Sequence, residues 1–311
     1  MSAALPMIGH KLAQVRFLAA QQSGRLHHGW ILQGPSGVGK ALFAKRLAAL
    51  MLGAETVDAP AEDSVMQKVI SGSHPDLKWV ARGLNDKGKL RQDITVDQIR
   101  DLNKFFALRP ALAGWRVGVI DALDETNVSG LNALLKTLEE PPQNAILFLV
   151  SHGTKPLLPT IRSRCQVLRL NTLSDDETGQ VLSLIGVEDK LVASLAHGRP
   201  GYGLALKESG GAAAVQAART MLSSIRKPES GIFAQALKAA SVDSGSLAAY
   251  TDTLLAWTAA RAEDNPALGR TWLTLHEVRA TATELNLTPL QTATKLLAVL
   301  QDGVKTLPID A

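Results

Sequence analysis

Cysteine is almost absent from this chain: its 311 residues contain one, Cys165. A lone thiol excludes a disulfide framework and a four-thiolate zinc site built within the chain. Chains that build no disulfides are typical of reducing compartments, so we expect this protein in the cytosol.

Long apolar stretches are also missing, because no run of 18 or more apolar residues occurs. We therefore expect no helix that spans a membrane. The first residues, MSAALPMIGHKLAQ, lack the basic and apolar segments of a secretory signal, so none is expected. With 46% hydrophobic and 20% charged residues, the composition fits a soluble globular protein of two or three domains.

The formal net charge is +4, but it is unevenly distributed. Residues 1–170 carry 21 Lys and Arg against 14 Asp and Glu, whereas residues 171–311 carry 12 against 15. A basic first half could face the phosphates of a nucleotide or of a nucleic acid. The excess is small, and scattered charges on a solvated surface explain it more simply.

Strand and helix patterns alternate over the first 170 residues. The runs WRVGVI (115–120) and AILFLV (145–150) are continuously apolar, as in strands buried on both faces of a parallel sheet. Further strands are predicted at 28–32, 77–81 and 166–170, and helices at 41–52, 95–108 and 130–139. This alternation predicts an α/β domain that ends near residue 170.

The later part of the chain has a helical pattern. Ser174 and Glu177 form the S-x-x-E signature of a capping box, and short helices interrupted by GRPGYG (198–203) are predicted over 174–208. Five further helices are predicted at 212–227, 232–241, 246–263, 269–286 and 289–301. Their many alanines would allow close helix packing, either within the chain or against partner chains. The predicted fold class is therefore α/β plus all-α, with a parallel sheet in the first domain.

The stretch GPSGVGKA follows a predicted strand and opens a predicted helix, the context of a phosphate-binding loop. Glycines let the backbone approach phosphate oxygens, and N–H groups at the helix N-terminus point at the anion. The candidate phosphate-contacting residues are Gly34, Pro35, Ser36, Gly37, Val38, Gly39, Lys40 and Ala41. Ala41 stands where a Ser or Thr hydroxyl normally coordinates Mg²⁺, so hydrolysis should suffer more than binding. The alternative is a glycine-rich turn that carries an exposed lysine.

A second element, VGVIDALDE (117–125), ends an apolar strand in Asp121. That carboxylate suits a residue that holds Mg²⁺ through water. Hydrolysing enzymes with such a strand place a Glu directly after it as general base, and this chain has Ala122 there. We interpret Asp124 and Glu125 as a solvated helix start with favourable charge toward the helix dipole.

A third element, TIRSRC (160–165), places two arginines before the last predicted strand. A guanidinium can stabilise a transferring phosphoryl group, including one held by a neighbouring subunit. Taken alone, two such arginines are more often surface charges. We interpret Cys165 as a small buried residue, and the seven histidines as non-ligands because they show no metal-ligand spacing.

The spans LLKTLEEPP (134–142) and TIRSRC (160–165), downstream of a glycine loop, together resemble the AAA+ clamp-loader family. Supporting residues are Ile8-Gly9-His10, the HPD of 74–76, Asp121-Ala122, and GRPGYGLAL (198–206). The resemblance is strong over 1–206. It continues diffusely in TWLTLHEVRATATELNL (271–287).

This resemblance implies three domains: an AAA+ α/β nucleotide-binding domain (1–170), a small helical lid (171–210) and a C-terminal helical collar (211–311). It implies a hetero-pentameric ring with motor subunits and a delta subunit, which loads a sliding clamp on primed DNA using ATP. Arg164 falls on the family's trans arginine finger. Motor subunits carry a sensor arginine near the position of Gly201. Many relatives hold a four-cysteine zinc module, and since residues 52–73 lack cysteine, we expect no zinc.

Three functions follow as hypotheses. The favoured one is a stator that lends Arg164 to a neighbour and holds ATP, with Mg²⁺, weakly hydrolysed or not at all. The second is a self-sufficient AAA+ ATPase, supported by the near-complete loop and Asp121. The third is a nucleotide-independent DNA-binding module. No carboxylate pair suggests two-metal nucleotidyl transfer, so any polymerase activity would belong to a holoenzyme.

Overall fold

The computed structural model describes residues 5–84, 88–112, 114–153, 157–226, 230–262 and 264–305. These residues form two compact units. The first contains the chain up to Gly186 together with His197–Gly201, and the second contains Val187–Ala196 together with the chain from Tyr202 onward. The three-domain division stays a prediction, because these units cut the chain within the segment assigned to the lid.

The first unit is built on a parallel five-stranded sheet with the order β2-β3-β4-β1-β5. The strands are β1 (Gly29–Gln33), β2 (Leu77–Ala81), β3 (Arg116–Asp121), β4 (Ala145–Ser151) and β5 (Gln166–Arg169). Each lies within two residues of its predicted position. The predicted class, an α/β part with a parallel sheet followed by an all-α part, is confirmed.

The central strands explain why the apolar runs are continuous. Every residue of β4 is buried, and β3 is buried up to Asp121. Helices cover both faces, and the sheet separates two apolar clusters, one around Phe43 and Phe148 and the other around Ile99 and Leu134. A strand between two such layers needs apolar side chains at odd and even positions alike.

The helices of the first unit connect these strands. They are α1 (Lys11–Gln22), α2 (Lys40–Met51), α3 (Ser64–Ser71), α4 (Val96–Phe106), α5 (Val128–Glu139), α6 (Pro159–Arg162) and α7 (Asp175–Leu184). Capping boxes start two of them: Thr95 with Gln98 at α4, and Ser174 with Glu177 at α7. The sequence analysis missed α1 and α3. Asp63 is the N-cap of α3, and its side chain accepts hydrogen bonds from the backbone N–H groups of Val65 and Met66.

A buried arginine organises the cysteine-free connection between α2 and α3. Arg46 is 1% exposed, and its guanidinium donates to the carbonyls of Val57 (3.2 Å), Ala59 (2.8 Å) and Leu5. These bonds tie the N-terminal segment and the α2–α3 connection to α2. Among the described residues, no group of three or more His, Cys, Asp or Glu is placed to hold a metal ion.

The second unit is helical. Its helices are α8 (Lys190–Ala196), α9 (Pro200–Glu208, from Tyr202 onward), α10 (Gly211–Ser223), α11 (Ser230–Ala240), α12 (Ser244–Ala262), α13 (Pro266–Glu284) and α14 (Pro289–Lys305). The five predicted helices of 212–301 correspond to α10–α14. The prediction that GRPGYG interrupts the helices was wrong in part, because α9 begins at Pro200 and runs through both following glycines.

The alanines of this unit pack within it. Five of them are fully buried in its main apolar cluster: Ala214, Ala218, Ala236, Ala240 and Ala293. Small side chains let neighbouring helix backbones approach closely. At these positions the alanines therefore pack within the chain and not against partner chains. No helix among the described residues is long and apolar enough to cross a membrane.

Candidate nucleotide loop and arginine motif

The glycine loop lies where β1 ends and α2 begins. The Gly34 amide donates to the Ser151 carbonyl at the end of β4 (3.2 Å), and a Cβ on Gly34 would stand 2.1 Å from the Leu170 carbonyl oxygen. Only glycine fits between these two strands. Gly37 and Gly39 have φ values of 87° and 99°, which glycine adopts without strain. The spacing of the glycines in the loop thus has a direct steric cause.

Lys40 is the first residue of α2 and is 3% exposed. Its ammonium donates to the carbonyls of Gly34 (2.7 Å) and Pro35 (2.6 Å). Burial lowers the pKa of this lysine to about 8, and the carboxylates of Asp121 and Asp124 counteract that shift. The ammonium is therefore held inside the loop, where a phosphate oxygen could replace the loop's own carbonyls as acceptor.

The carboxylates near Lys40 come from the end of β3. Asp121 is its last residue, and burial raises the pKa of this carboxyl, while His152 and Lys40 oppose the shift. The prediction that Asp124 is a solvated helix start was wrong. Its side chain is buried, and it accepts hydrogen bonds from the Ser151 hydroxyl (3.2 Å) and the His152 amide. Asp124 thereby fixes the end of β4 beside β3.

Glu125 is also half-buried rather than solvated, and it forms an ion pair with Arg82 at 2.8 Å. The side chains of Glu125 and Asp121 point in different directions, because the short 3₁₀ turn Leu123–Glu125 separates the two residues. Of these three carboxylates, Asp121 therefore faces Lys40, whereas Asp124 and Glu125 hold the surrounding chain in place.

Two histidines beside the loop were not recognised from the sequence. His152 follows β4, and burial, followed by the charge of Lys40, lowers its pKa. His10 has a left-handed backbone (φ 57°), and its Nε2 hydrogen-bonds the Val38 carbonyl of the loop at 2.8 Å. Burial lowers the pKa of His10 as well. The position of His152 directly after an apolar strand was the one available signal, because carboxyl ends of parallel strands share one edge.

Ala41, Ala122 and Gly201 are the three positions at which we expect the chain to depart from a hydrolysing site. Ala41 offers no hydroxyl, and Ala122 is 1% exposed within the apolar cluster of the sheet, so it offers no carboxylate. The amide of Gly201 donates to the Gly37 carbonyl at 2.8 Å, and a Cβ there would stand 3.0 Å from the Gly37 Cα. A larger residue at 201 would have to displace the loop.

Arg164 lies at the amino ends of the strands, whereas the glycine loop lies at their carboxyl ends. It precedes β5, which pairs in parallel with β1 in the register Trp30↔Gln166 and Gln33↔Arg169. The Arg164 carbonyl lies beside Gly29 at the start of β1, and Gly34 is five residues further along that strand, which at about 3.3 Å per residue is roughly 16 Å away. The structure brings Lys40 and Asp121 together and separates Arg164 from both.

The environment of Arg164 is polar and accessible. Its guanidinium bonds the Glu139 carboxylate at 3.0 Å and the Thr160 carbonyl at 3.0 Å, and 36% of its side chain is exposed. The adjacent Cys165 is buried, and this burial raises the pKa of its thiol to about 12. A thiol that stays protonated is a poor nucleophile, in agreement with its interpretation as a packing residue.

Comparison with known proteins is consistent with these features. A family model described as "DNA polymerase III, delta subunit" matches residues 9–174. The chain is 38% identical over 152 residues to DNA polymerase III subunit delta' of Pseudomonas aeruginosa, covering 48% of this chain and 45% of that one. It is 32% identical over 204 residues to subunit delta' of Escherichia coli, covering 61% and 58%.

A further relative is subunit gamma of DNA polymerase III from Buchnera aphidicola subsp. Schizaphis graminum, 32% identical over 157 residues and covering 50% of this chain and 41% of that one. These matches span about half the length of the curated relatives. The family model covers more than half of this chain, and it includes the glycine loop and TIRSRC. The chain therefore belongs to the DNA polymerase III, delta subunit family.

Proposed function

We propose that this chain is a clamp-loader subunit of the delta-prime type, a stator that hydrolyses ATP weakly or not at all. It lends Arg164 to the nucleotide of an adjacent motor subunit. The observation that carries this proposal is the place of Arg164 at the amino ends of the strands, roughly 16 Å along β1 from the chain's own loop. Its accessible guanidinium is therefore better placed for a nucleotide held by another chain than for one in its own loop.

The pairing of Arg164 with Glu139 supports this role. The ion pair is about half exposed, so it orients the guanidinium while costing little to break. A planar guanidinium presents two parallel donors to a phosphate, which a lysine cannot do. The exposed Ser163 beside it leaves the face of the motif accessible to a neighbouring subunit.

The chain's own loop is better suited to binding the phosphates of a nucleotide than to hydrolysing it. The residues that would hold ATP are Gly34, Pro35, Ser36, Gly37, Val38, Gly39, Lys40 and Ala41, with Asp121 toward a Mg²⁺ bound with it. Bound Mg²⁺ would offset phosphate charge. The absence of a hydroxyl at Ala41 and of a carboxylate at Ala122 leaves no residue to position that ion directly or to activate water.

The family and the resemblance together suggest the partners. The chain would assemble with motor subunits and a delta subunit in a five-membered ring in the cytoplasm at the replication fork. Through that complex it would meet the sliding clamp and primed DNA, and nucleotidyl transfer would belong to the holoenzyme. Within the chain, residues 171–210 would act as lid and 211–311 as collar.

A self-sufficient ATPase is the alternative, because Lys40 and Asp121 lie together beside a complete glycine loop. We expect the purified chain to release no more phosphate from ATP with Mg²⁺ than a Lys40→Ala variant does, since both lack a group that activates water. Nucleotide binding by each is measured in parallel. Turnover by the native chain well above that of Lys40→Ala would favour the alternative.

Nucleotide affinity should depend on pH through Lys40. Burial holds its pKa at about 8 in the free protein, and a bound phosphate would raise it, so binding takes up a proton above that value. Affinity for ATP should be nearly full at pH 7, about halved at pH 8 and roughly tenfold lower at pH 9. Calorimetric titration at pH 7 and pH 9 measures this. The Lys40→Ala variant should bind weakly with no such decline, and an equal decline in both would contradict the assignment.

A further inference from the structure

A cavity of about 670 Å³ opens in the helical second unit, far along the chain from the glycine loop. It is formed by the C-terminal ends of α10 and α12 and the start of α13. Its size lies within the range of about 300–1,000 Å³ that is usual for ligand pockets. Neither the nucleotide loop nor TIRSRC contributes to it.

The rim of this cavity is basic. Among the described residues that line it, the charged ones are Arg219, Arg226, Arg261 and Asp264, so guanidinium groups outnumber carboxylates three to one. All four are exposed. This is a local concentration, because residues 171–311 as a whole carry 12 basic and 15 acidic side chains. The basic excess is therefore a property of this rim and not of residues 171–311 as a whole.

The floor of the cavity is apolar. Leu222, Ile225 and Leu268 line it and are themselves buried in the helix packing. Trp257 is half-buried at the wall, and the Arg261 guanidinium lies 4.4 Å from its ring centroid. That stacking holds Arg261 over the cavity and covers one face of the indole.

We propose that this cavity binds an acidic peptide segment of a partner protein, with one aromatic or aliphatic side chain inserted between Trp257 and Leu268. Carboxylates of the segment pair with Arg219, Arg226 and Arg261 around the rim. Guanidinium groups form bidentate hydrogen bonds with carboxylates, and the apolar floor accommodates the inserted side chain. The combination of one apolar anchor and an opposite-charge rim is typical of a peptide site.

Nucleic acid is the less suitable ligand for this cavity. Single strands bind by stacking successive bases on a series of aromatic side chains, and Trp257 is the one aromatic among the described lining residues. One of its faces is already covered by Arg261. The acidic balance of residues 171–311 also gives no long-range attraction for a phosphate backbone.

The test uses the full chain and a fluorescein-labelled peptide with four glutamates around a central phenylalanine, followed by fluorescence anisotropy. We expect saturable binding that weakens roughly tenfold when serine replaces the phenylalanine, or in an Arg226→Gln, Arg261→Gln double variant. Arg270→Gln, an exposed arginine of α13 outside the cavity, is the matched control and should leave binding unchanged. Asp264→Asn should tighten binding, because it removes the acidic residue from the rim.

Each result decides for or against the proposal. Circular dichroism of every variant establishes that it is folded, and the gain expected for Asp264→Asn cannot arise from misfolding. No saturable binding of the peptide, or equal affinity for the serine peptide, would overturn the proposal. So would a labelled oligothymidine that binds more tightly than the peptide and is weakened by the same arginine substitutions.

Discussion

Replacing Arg164 with alanine is expected to lower the clamp-stimulated ATPase of the assembled complex by about 10³-fold or more per dependent site. Removal of a trans arginine in GTPase systems costs about 10³–10⁵, because charge on the transferring phosphoryl group is no longer stabilised. Arg164 lies at the amino ends of the strands, away from its own loop, as the proposed role requires. Single-turnover hydrolysis by the reconstituted ring measures the dependent site separately from the others.

The chain itself should tolerate this change. The Arg164–Glu139 pair is about half exposed, and pairs of this kind contribute at most about 1 kcal/mol to stability. Thermal unfolding of the variant should therefore resemble that of the native chain. Arg164→Lys keeps the charge but loses the bidentate fork, so we expect an intermediate rate.

Arg162→Ala is the matched control, since Arg162 is an exposed arginine in the same TIRSRC segment. It removes the same charge from the surface and should leave the rate of the complex within a few-fold of normal. An unchanged rate with Arg164→Ala, in rings shown to assemble, would contradict the arginine-finger role. Equal losses from both variants would point to general electrostatics rather than to one positioned guanidinium.

Replacing Asp76 with alanine is expected to destabilise the first unit by about 3–5 kcal/mol, the usual cost of removing one partner from a buried charged pair. Asp76 is fully buried, and its carboxylate accepts from the amides of Ala111 (2.6 Å) and Leu112 (2.7 Å). Arg116, 3.9 Å away, is also buried. The substitution removes the acceptor of both amides and leaves the buried Arg116 without this carboxylate.

Urea unfolding with hydrogen exchange of β2 and β3 peptides measures this loss and places it in the sheet. Asp101→Ala is the control, because Asp101 is an exposed carboxylate paired with Lys104 on α4. Its effect should stay within about 0.5 kcal/mol. A decrease of less than 1 kcal/mol in the free energy of unfolding for Asp76→Ala would show that the Asp76 carboxylate contributes little to the stability of the first unit.

The elements predicted most accurately are those whose formation is explained by the local sequence pattern alone. β4 is apolar throughout because it is covered on both faces. The helix α4 begins directly after Thr95, because the Thr95 and Gln98 side chains form a capping box there. The helix α1 was missed since only Ala13 and Phe17 face the core, while Leu12 and Val15 are largely exposed. An apolar stripe of two residues gives no periodicity to detect.

The candidate site likewise has one part that the sequence revealed and another that it did not. The glycine loop was visible because its chemistry needs consecutive residues, and Gly34, Gly37 and Gly39 are glycines for reasons of backbone geometry. Asp124 was misinterpreted because its role depends on Ser151 and His152, which lie 27 and 28 residues away. Nothing adjacent in sequence indicates that β3 and β4 are neighbours.

The sequence by itself determined the fold class, the strand and helix pattern, the glycine loop and the family, since each of these is written in contiguous residues. Only the tertiary structure decided which groups meet. It placed Asp121 beside Lys40, Gly201 against Gly37, and Arg164 at the opposite end of the strands from the loop. Those relations arise from the parallel strand order, which joins residues over a hundred positions apart and puts the nucleotide loop at the carboxyl ends of the strands and the arginine at their amino ends.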